Sequence, residues 1–284
     1  MLLFIKIVLI IVVVIVILAG IVFFANKAFN NHVDKEINEL FKNVSVEEKK
    51  VITQTDLEEL PTSVKDWMRF AGVIGKERID TVRLKQNAEM KLEKDKKWMP
   101  VEAEQYFTAN PPGFIWKARI KAAPFFHIVG RDKYTDGKGN MQIKILSLFT
   151  IADSSGKEMN QGTLLRYLAE TVWFPTAALS DFIKWEEIDV NTAKATMSFG
   201  NTIASGTFSF SKEGYVENFT AERYKETAGE YSLETWSVNM SEYKNLDGFM
   251  IPTKGEVTWK LDDGDFTWYS FEITDMEYDE ITTY

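Results

Sequence analysis

The sequence predicts an α+β fold: a large, curled antiparallel sheet, a half-barrel of about ten strands, with one central helix across its concave face. An N-terminal transmembrane helix precedes it. Three observations predict this architecture. Residues 7–25 form an uninterrupted apolar run, the apolar period changes from 3.6 to 2 after Gly75, and residues 162–185 form the one strongly helical stretch among strand-like segments.

Composition narrows the function classes. The chain has 284 residues, of which 45% are hydrophobic and 26% charged, as in ordinary globular proteins. A net charge of -9 and the lack of a basic stripe argue against nucleic-acid binding. There is no cysteine and there are two histidines, so disulfides and thiolate metal sites are excluded and a multi-histidine metal site nearly so. We expect no metal and no cofactor.

The apolar run from Ile7 to Ala25 has the length needed to cross a hydrocarbon core of roughly 30 Å. A cleaved signal peptide is the main alternative, but its apolar region is usually shorter, about 7–15 residues. We therefore predict a single-pass anchor in the cell membrane, with membrane contact through residues 7–25. The bias of flanking lysines is weak, and we favour an extracytoplasmic domain because almost nothing precedes the run.

Residues 26–60 are polar and helix-forming, and we predict a helical linker that lifts the domain off the membrane. Ser45–Glu48 and Thr55–Glu58 both fit a capping box. Pro61 is predicted to start a further helix that ends at Gly72. The predicted organisation is an anchor at 1–25, a linker at 26–60 and a half-barrel domain at 61–284.

Alternating apolar and polar residues predict strands on both sides of the central helix. The predicted strands are 81–92, 98–108, 113–121, 125–135, 141–151, 193–199, 203–210, 215–224, 231–243, 255–261 and 266–278. Because a sheet of this size twists and would leave an apolar face uncovered, it must curl around the helix. Whether the interior is a solid core or an apolar pocket stays open.

The central helix carries most of the candidate chemistry. Thr163 is predicted to cap its start, and Pro175 to kink or restart it. Arg166 and Glu170 lie four residues apart and can pair on one face. The predicted ligand-binding residues, on this helix and on neighbouring strands, are Arg131, Asp132, Tyr134, Arg166, Tyr167, Glu170, Trp173 and Arg223.

This cluster has two interpretations. Arginine recognises phosphate or carboxylate through two parallel hydrogen bonds, which indicates an anion or lipid-headgroup site. A buried salt-bridge network that fixes the helix on the sheet would have the same composition. Other chemistry has less support, and we predict no catalytic residue: Glu102, Glu104 and Asp132 have no established separation, and His127 lacks a nucleophile. Asp262–Asp265 is interpreted as a hairpin turn rather than a calcium loop.

Several segments together carry a family resemblance: 98–107, 111–116, 130–139, Arg166-Tyr-Leu-Ala-Glu170 and Trp173-Phe-Pro-Thr-Ala177. They resemble a bacterial family of unknown function that has an N-terminal anchor and this domain, and the resemblance covers about residues 60 to 280. In shape, a curled sheet with helices across its mouth is similar to the half-barrel carriers of lipoproteins and lipids. That second similarity concerns the fold and implies an apolar interior, not an activity.

Three functions follow as hypotheses. The first is a membrane-anchored extracytoplasmic protein that binds a lipid or lipidated chain, with Arg166 or Arg131 near the headgroup. The second is a structural or interaction module of the cell envelope. The third is an enzyme of unknown class that uses Arg131, Asp132 and Glu170. The oligomeric state is left open.

Overall fold

Thirteen antiparallel strands form one sheet in the order β6-β5-β4-β3-β2-β1-β13-β12-β11-β10-β9-β8-β7. The structure is a computed structural model that describes residues 1–44, 49–227 and 229–284. The predicted fold class is confirmed, with thirteen strands instead of about ten. The strands are β1 Thr81–Met90, β2 Met99–Thr108, β3 Gly113–Ala123, β4 Phe126–Thr135, β5 Lys138–Ile145, β6 Phe149–Ser155, β7 Ile183–Asp189, β8 Thr192–Phe199, β9 Thr202–Phe210, β10 Val216–Thr227, β11 Glu230–Leu246, β12 Phe249–Leu261 and β13 Gly264–Tyr278.

Two strands escaped the sequence prediction for identifiable reasons. The turn between β5 and β6, residues 146–148, contains no glycine, proline or asparagine, so the two strands were predicted as one. Strand β7 directly follows the helical stretch and was counted as its end, although Trp185 lies in the strand. The predicted turn at Asp262 and Asp263 is confirmed between β12 and β13.

One continuous helix, α1, spans Leu2–Lys42 and runs through the predicted boundary between anchor and linker. The helix is long and apolar enough to cross a membrane. A signal sequence near the N-terminus passes the same test of length and composition. Its C-terminal part packs on the convex face of the sheet through Phe29, Val33 and Ile37, which meet Tyr106 and other residues of β2–β4. The structure therefore shows a docked helix where linker helices were predicted, because these residues form an apolar stripe at helical spacing.

Two short elements follow α1. The capping box at Ser45–Glu48 lies outside the described residues. The next turn, a 3₁₀ turn at Gln54–Leu57, begins earlier than predicted, because Thr53 and Asp56 form the capping box rather than Thr55 and Glu58. Helix α2, Thr62–Ala71, starts after Pro61 and stops at the left-handed Gly72, as predicted.

Helix α3, Lys157–Glu170, lies across the concave side of the sheet and contacts strands near both of its edges, β4–β6 and β8–β10. Contact with both edges requires the sheet to curl into a half-barrel. Thr163 does not cap the helix, because α3 starts six residues earlier and Thr163 donates a hydrogen bond to the Met159 carbonyl at 2.7 Å. Pro175 restarts the chain as a 3₁₀ turn, Pro175–Leu179, as predicted.

The two ends of the half-barrel differ. Turns after β1, β3, β5, β10 and β12 lie at one end, which we call the anchor end, because Asn26 of α1 accepts a hydrogen bond from Ser147 in the β5–β6 turn at 3.1 Å. The opposite, distal end is filled by aromatic side chains: Trp67 of α2 stacks on Phe208 with ring centroids 5.8 Å apart. Phe107 and Phe174 pack nearby at 4.9 Å. The core is therefore solid only in its distal part.

Candidate functional site: an apolar cavity with an arginine

The anchor-end half of the concave face encloses a cavity of about 790 Å³. This volume lies within the roughly 300–1,000 Å³ of typical ligand sites. Its walls are mainly apolar and aromatic, and they include Trp116, Ile128, Met141, Ile143, Trp173, Trp236, Val238, Met240, Val257, Trp259, Phe266 and Phe271. The interior of the half-barrel is therefore a solid core in its distal part and a pocket in its anchor-end part.

Arg166 of α3 occupies the inner wall of this cavity in a closed polar network. Its Nε lies 2.8 Å from Glu170 Oε1 and its Nη1 2.7 Å from Asp132 Oδ2. Gln105 donates to the other oxygen of Glu170 at 2.8 Å. Burial lowers the pKa of Arg166, but the two carboxylates outweigh it and raise that pKa. The guanidinium is thus held charged and its partners are satisfied within the fold.

The Glu170 carboxylate shows the opposite balance. Burial raises its pKa, while Arg166 and Gln105 act to lower it. The i, i+4 pairing of Arg166 and Glu170 expected from helical spacing is present. Since every arm of the network ends on another protein group, this part of the cluster has the geometry of a structural salt-bridge network.

Arg223 of β10 lines the same cavity under very different conditions. Its guanidinium carbon lies 4.8 Å from the Trp236 ring centroid and 5.9 Å from that of Trp259. Within the part of the chain that the structure describes, no hydrogen bond or ion pair reaches this guanidinium, and its Nε is buried without an acceptor. Burial, and then the charge of Arg166, lower its pKa to about 10, so it stays cationic at neutral pH.

Three predicted aromatic residues sit at different depths. The Tyr167 hydroxyl donates to the Thr108 carbonyl at 2.9 Å, which ties α3 to the solid core. Tyr134 is fully buried beside Phe199, at 6.3 Å between ring centroids, and burial raises its pKa. Trp173 lines the cavity. Only the last of the three faces the space that a ligand would occupy.

Arg131 lies on the opposite face of the sheet from Asp132, because neighbouring residues in a strand point to opposite sides. Its Nε is 3.0 Å from Glu36 Oε2 of α1, and its Nη1 donates to Asn140 Oδ1 at 2.6 Å. The structure therefore does not assemble the group Arg131, Asp132 and Glu170. Arg131 helps instead to fix α1 on the convex face.

The remaining chemical candidates are likewise separated. Glu102 and Glu104 pair with Lys121 and Lys117 on the convex face, away from Asp132 in the cavity. His127 lies 3.3 Å from the Ser147 hydroxyl near the anchor end, and burial lowers its pKa. Among residues 1–44, 49–227 and 229–284 no cluster of three or more His, Asp or Glu side chains is placed to hold a metal ion.

Several cavity residues were missed by sequence reasoning. Trp236 and Trp259 flank Arg223 from β11 and β12, and Gln86 of β1 accepts a hydrogen bond from Tyr269 at 2.9 Å. One signal was available for Gln86, since it is the polar residue that interrupts the apolar face of β1. Such an interruption indicates a buried polar group with partners elsewhere in the fold.

Comparison with protein families decides the affiliation. The profile of DUF6544, a family of unknown function, matches residues 50–271. The chain belongs to the DUF6544 family. The resemblance to a family of unknown function expected from the sequence segments is thus confirmed. For this DUF6544 protein the match covers α2, α3, strands β1–β12 and β13 up to Phe271. Among curated proteins nothing matches the chain.

Solved structures offer distant similarities to this DUF6544 member. A LolA superfamily protein from Nitrosomonas europaea has a TM-score of 0.41 and 11% identity, and covers 81% of this chain and 95% of its own. A putative outer membrane lipoprotein-sorting protein domain from Vibrio parahaemolyticus has a TM-score of 0.40 and 10% identity, with 70% and 86% covered. A DUF1329 family protein from Desulfovibrio piger has a TM-score of 0.42 and 8% identity, with 76% and 92% covered. Similarities of this strength do not assign a function to the chain.

Proposed function

We propose that this protein is a membrane-anchored, extracytoplasmic binding protein for an amphiphile with an apolar chain and an anionic headgroup. The observation that carries the proposal is Arg223, whose guanidinium has no hydrogen bond or ion pair among the described residues and lies in a cavity with mainly apolar walls. The cavity walls take the apolar chain, and Arg223 takes a carboxylate or phosphate. Residues 2–25 of α1 anchor the domain in the membrane.

The energetics of Arg223 support an anionic ligand. A charge placed in an apolar environment is costly unless it is paired. Trp236 and Trp259 offset part of this cost through cation–π contact, which contributes roughly 0.5–2 kcal/mol. A ligand carboxylate or phosphate can form two parallel hydrogen bonds with the guanidinium and supply the missing partner. The headgroup role is therefore proposed for Arg223, whereas Arg166 is already satisfied by Asp132 and Glu170.

Mass spectrometry of organic extracts tests the proposal. Residues 26–284 are suitable, because the preceding residues contribute no buried side chain, while α1 from Phe29 onward keeps its packing. The protein is purified from cells without detergent. We expect a near-stoichiometric anionic amphiphile. Val238→Trp, which fills the cavity from its wall, should abolish co-purification, whereas Ile203→Trp on the exposed surface should not.

The outcomes separate this proposal from its alternative. An empty, folded wild-type protein that shows no thermal shift with fatty acids or phospholipids would overturn it. In that case the apolar residues exposed at the anchor end would favour the second candidate, an interaction module of the envelope.

A further inference from the structure

The turns at the anchor end present apolar side chains to the outside. The group consists of Leu92, Phe125, Phe126, Leu148, Phe149 and Ile151, which we call the rim residues. Phe125 is completely exposed and Phe149 is 65% exposed. They come from the β1–β2, β3–β4 and β5–β6 turns and from the starts of β4 and β6, so three neighbouring hairpins contribute to one apolar edge. An exposed apolar edge of this kind indicates an interaction surface.

The β3–β4 and β5–β6 turns contain left-handed residues other than glycine. Phe125 has φ 61°, Leu146 has φ 52° and Ser147 has φ 60°. Glycine or asparagine normally occupies such left-handed positions, and other residues there are uncommon. At Phe125 the chain therefore has an apolar side chain where a turn-forming residue would be expected. Nothing inside the described fold covers Phe125.

The geometry of α1 places this edge at the end of the apolar run. Asn26, the residue that directly follows the run, accepts hydrogen bonds from Arg119 at 3.3 Å and from Ser147 at 3.1 Å. Phe29, three residues later, is already buried against the sheet. At 1.5 Å per helical residue, only about 6 Å separate the end of the run from the docked domain. The β3–β4 and β5–β6 turns thus lie level with the end of the apolar run.

We propose that the anchor end is seated in the interfacial region of the bilayer that α1 crosses, with Phe125 and Phe149 inserted and the cavity mouth directed at the lipid. This rests on the proposed function only in that α1 crosses a membrane. Leu92 and Ile151 belong both to the rim and to the cavity wall, so an apolar path leads from the bilayer into the pocket. An amphiphile therefore enters without crossing water.

Charge at the mouth is mixed, with a basic β1–β2 turn beside an acidic β12–β13 turn. The β1–β2 turn, residues 91–98, carries four lysines against two acidic residues, and one of these lysines, Lys94, pairs with Asp263 of the β12–β13 turn. Each basic residue near an anionic membrane surface contributes about 1 kcal/mol. Lys91 Nζ lies 4.7 Å from the ring centroid of Trp98, and tryptophan is enriched at membrane interfaces.

The absence of cysteine makes a depth measurement simple, since each introduced thiol is the only one. F125C and F149C are prepared in the full chain, with V190C as control. Val190 is 78% exposed in the β7–β8 turn at the distal end. Each thiol carries an environment-sensitive NBD group, and the chain is reconstituted in nanodiscs of phosphatidylethanolamine and phosphatidylglycerol. Lipids with a nitroxide at a shallow acyl position quench groups in the membrane, and iodide quenches those in water.

We expect the groups at 125 and 149 to be quenched at least threefold more by nitroxide lipid than the group at 190, and to be protected from iodide. Equal iodide quenching at all three positions, with α1 inserted, would overturn the proposal. Lipid extracted from residues 26–284 reports cavity occupancy separately. A filled cavity together with rim residues in water would overturn this inference but not the proposed function. Rim residues in lipid together with an empty cavity would overturn only the ligand proposal.

Discussion

Two arginines on the concave face, Arg166 and Arg223, differ in whether the fold supplies their partners. Arg166 is bound by Asp132, Glu170 and Gln105. Arg223 contacts two indole rings and, within the described residues, makes no hydrogen bond or ion pair, although Asp132 and Glu170 lie near enough to offset part of the lowering of its pKa by burial. Removing a satisfied buried ion leaves its partners uncompensated, while removing an unpaired one leaves nothing behind. The two residues should therefore respond in opposite ways to the same substitution.

Arg166→Met should lower the free energy of unfolding of residues 26–284 by about 3–5 kcal/mol, because two buried carboxylates lose their cation. Arg223→Met should change it by less than about 1 kcal/mol and remove ligand binding. Urea unfolding at pH 7 measures both. If the ligand-free Arg223→Met protein is as destabilised as Arg166→Met, Arg223 belongs to the structural network and not to a binding site.

The sequence allowed part of this site to be predicted. The pairing of Arg166 with Glu170 follows from helical spacing and is present. Grouping Arg131 with Asp132 overlooked the strict alternation of a strand, which sends Arg131 to Glu36 on the convex face. The two rings beside Arg223, Trp236 and Trp259, come from the next two strands, and their position depends on the register of β10, β11 and β12.

Among the elements, α1 combines two roles that the sequence suggested were separate. Its apolar run extends into open space, and its continuation packs through Phe29, Val33 and Ile37 on β2–β4. The apolar stripe is present in the sequence at spacings of four residues. The polar residues between its members led to the prediction of a polar helical linker. If the apolar run crosses a membrane, as we propose, the packed part of the same helix holds the domain close to that membrane.

Ile37→Ala should therefore destabilise residues 26–284 by about 2–4 kcal/mol, since it opens a void under a fully buried side chain. Lys35→Ala, two residues away on the exposed side, should stay within about 0.5 kcal/mol. Thermal or urea unfolding distinguishes them. Equal stability of the two variants would mean that α1 does not pack on the sheet in solution.

The 3₁₀ turn before α2 has a pH-dependent cap. Hydrogen bonds from Lys50 and from the backbone and hydroxyl of Thr53 lower the pKa of Asp56 well below its ordinary value. A lowered carboxylate pKa stabilises the fold above the unfolded-state pKa, near 4, and this contribution disappears as pH falls through the folded-state pKa. Asp56→Asn should thus cost about 1 kcal/mol at pH 7 and progressively less below pH 4. A constant difference from pH 7 to pH 2 in urea unfolding would contradict this.

At the scale of the whole molecule, the curvature of the sheet could be predicted from the sequence, and the cavity inside it could not. A long antiparallel sheet with one central helix must curl, but whether the interior is filled depends on side chains from ten strands meeting at exact depths. Near the distal end Trp67, Phe107 and Phe208 fill the interior, and near the anchor end a cavity of about 790 Å³ remains. The local periodicity of apolar residues does not determine whether side chains fill the interior.

A ligand that fills this volume should raise the stability of the entire half-barrel, because binding to the folded state alone adds about 2.7 kcal/mol at a hundredfold excess over Kd. Organic extraction of residues 26–284 should lower Tm, and adding back an anionic amphiphile should restore it. Val238→Trp should show neither change. Differential scanning calorimetry measures the effect, and an unchanged Tm after complete extraction would argue against a resident ligand.

The strand order also bears on how the chain reaches its native state. Strands β1–β6 and β7–β13 are two meanders in which each strand pairs with its neighbour in sequence, and among the described strands β1 and β13 alone form a long-range pair, Val82 opposite Tyr278. Closing a loop of nearly the whole domain is entropically costly and slow. We expect each meander to collapse early and the β1–β13 seam to zip last. A chain held at a membrane by its N-terminal residues would then complete the half-barrel only after β13 has been synthesised.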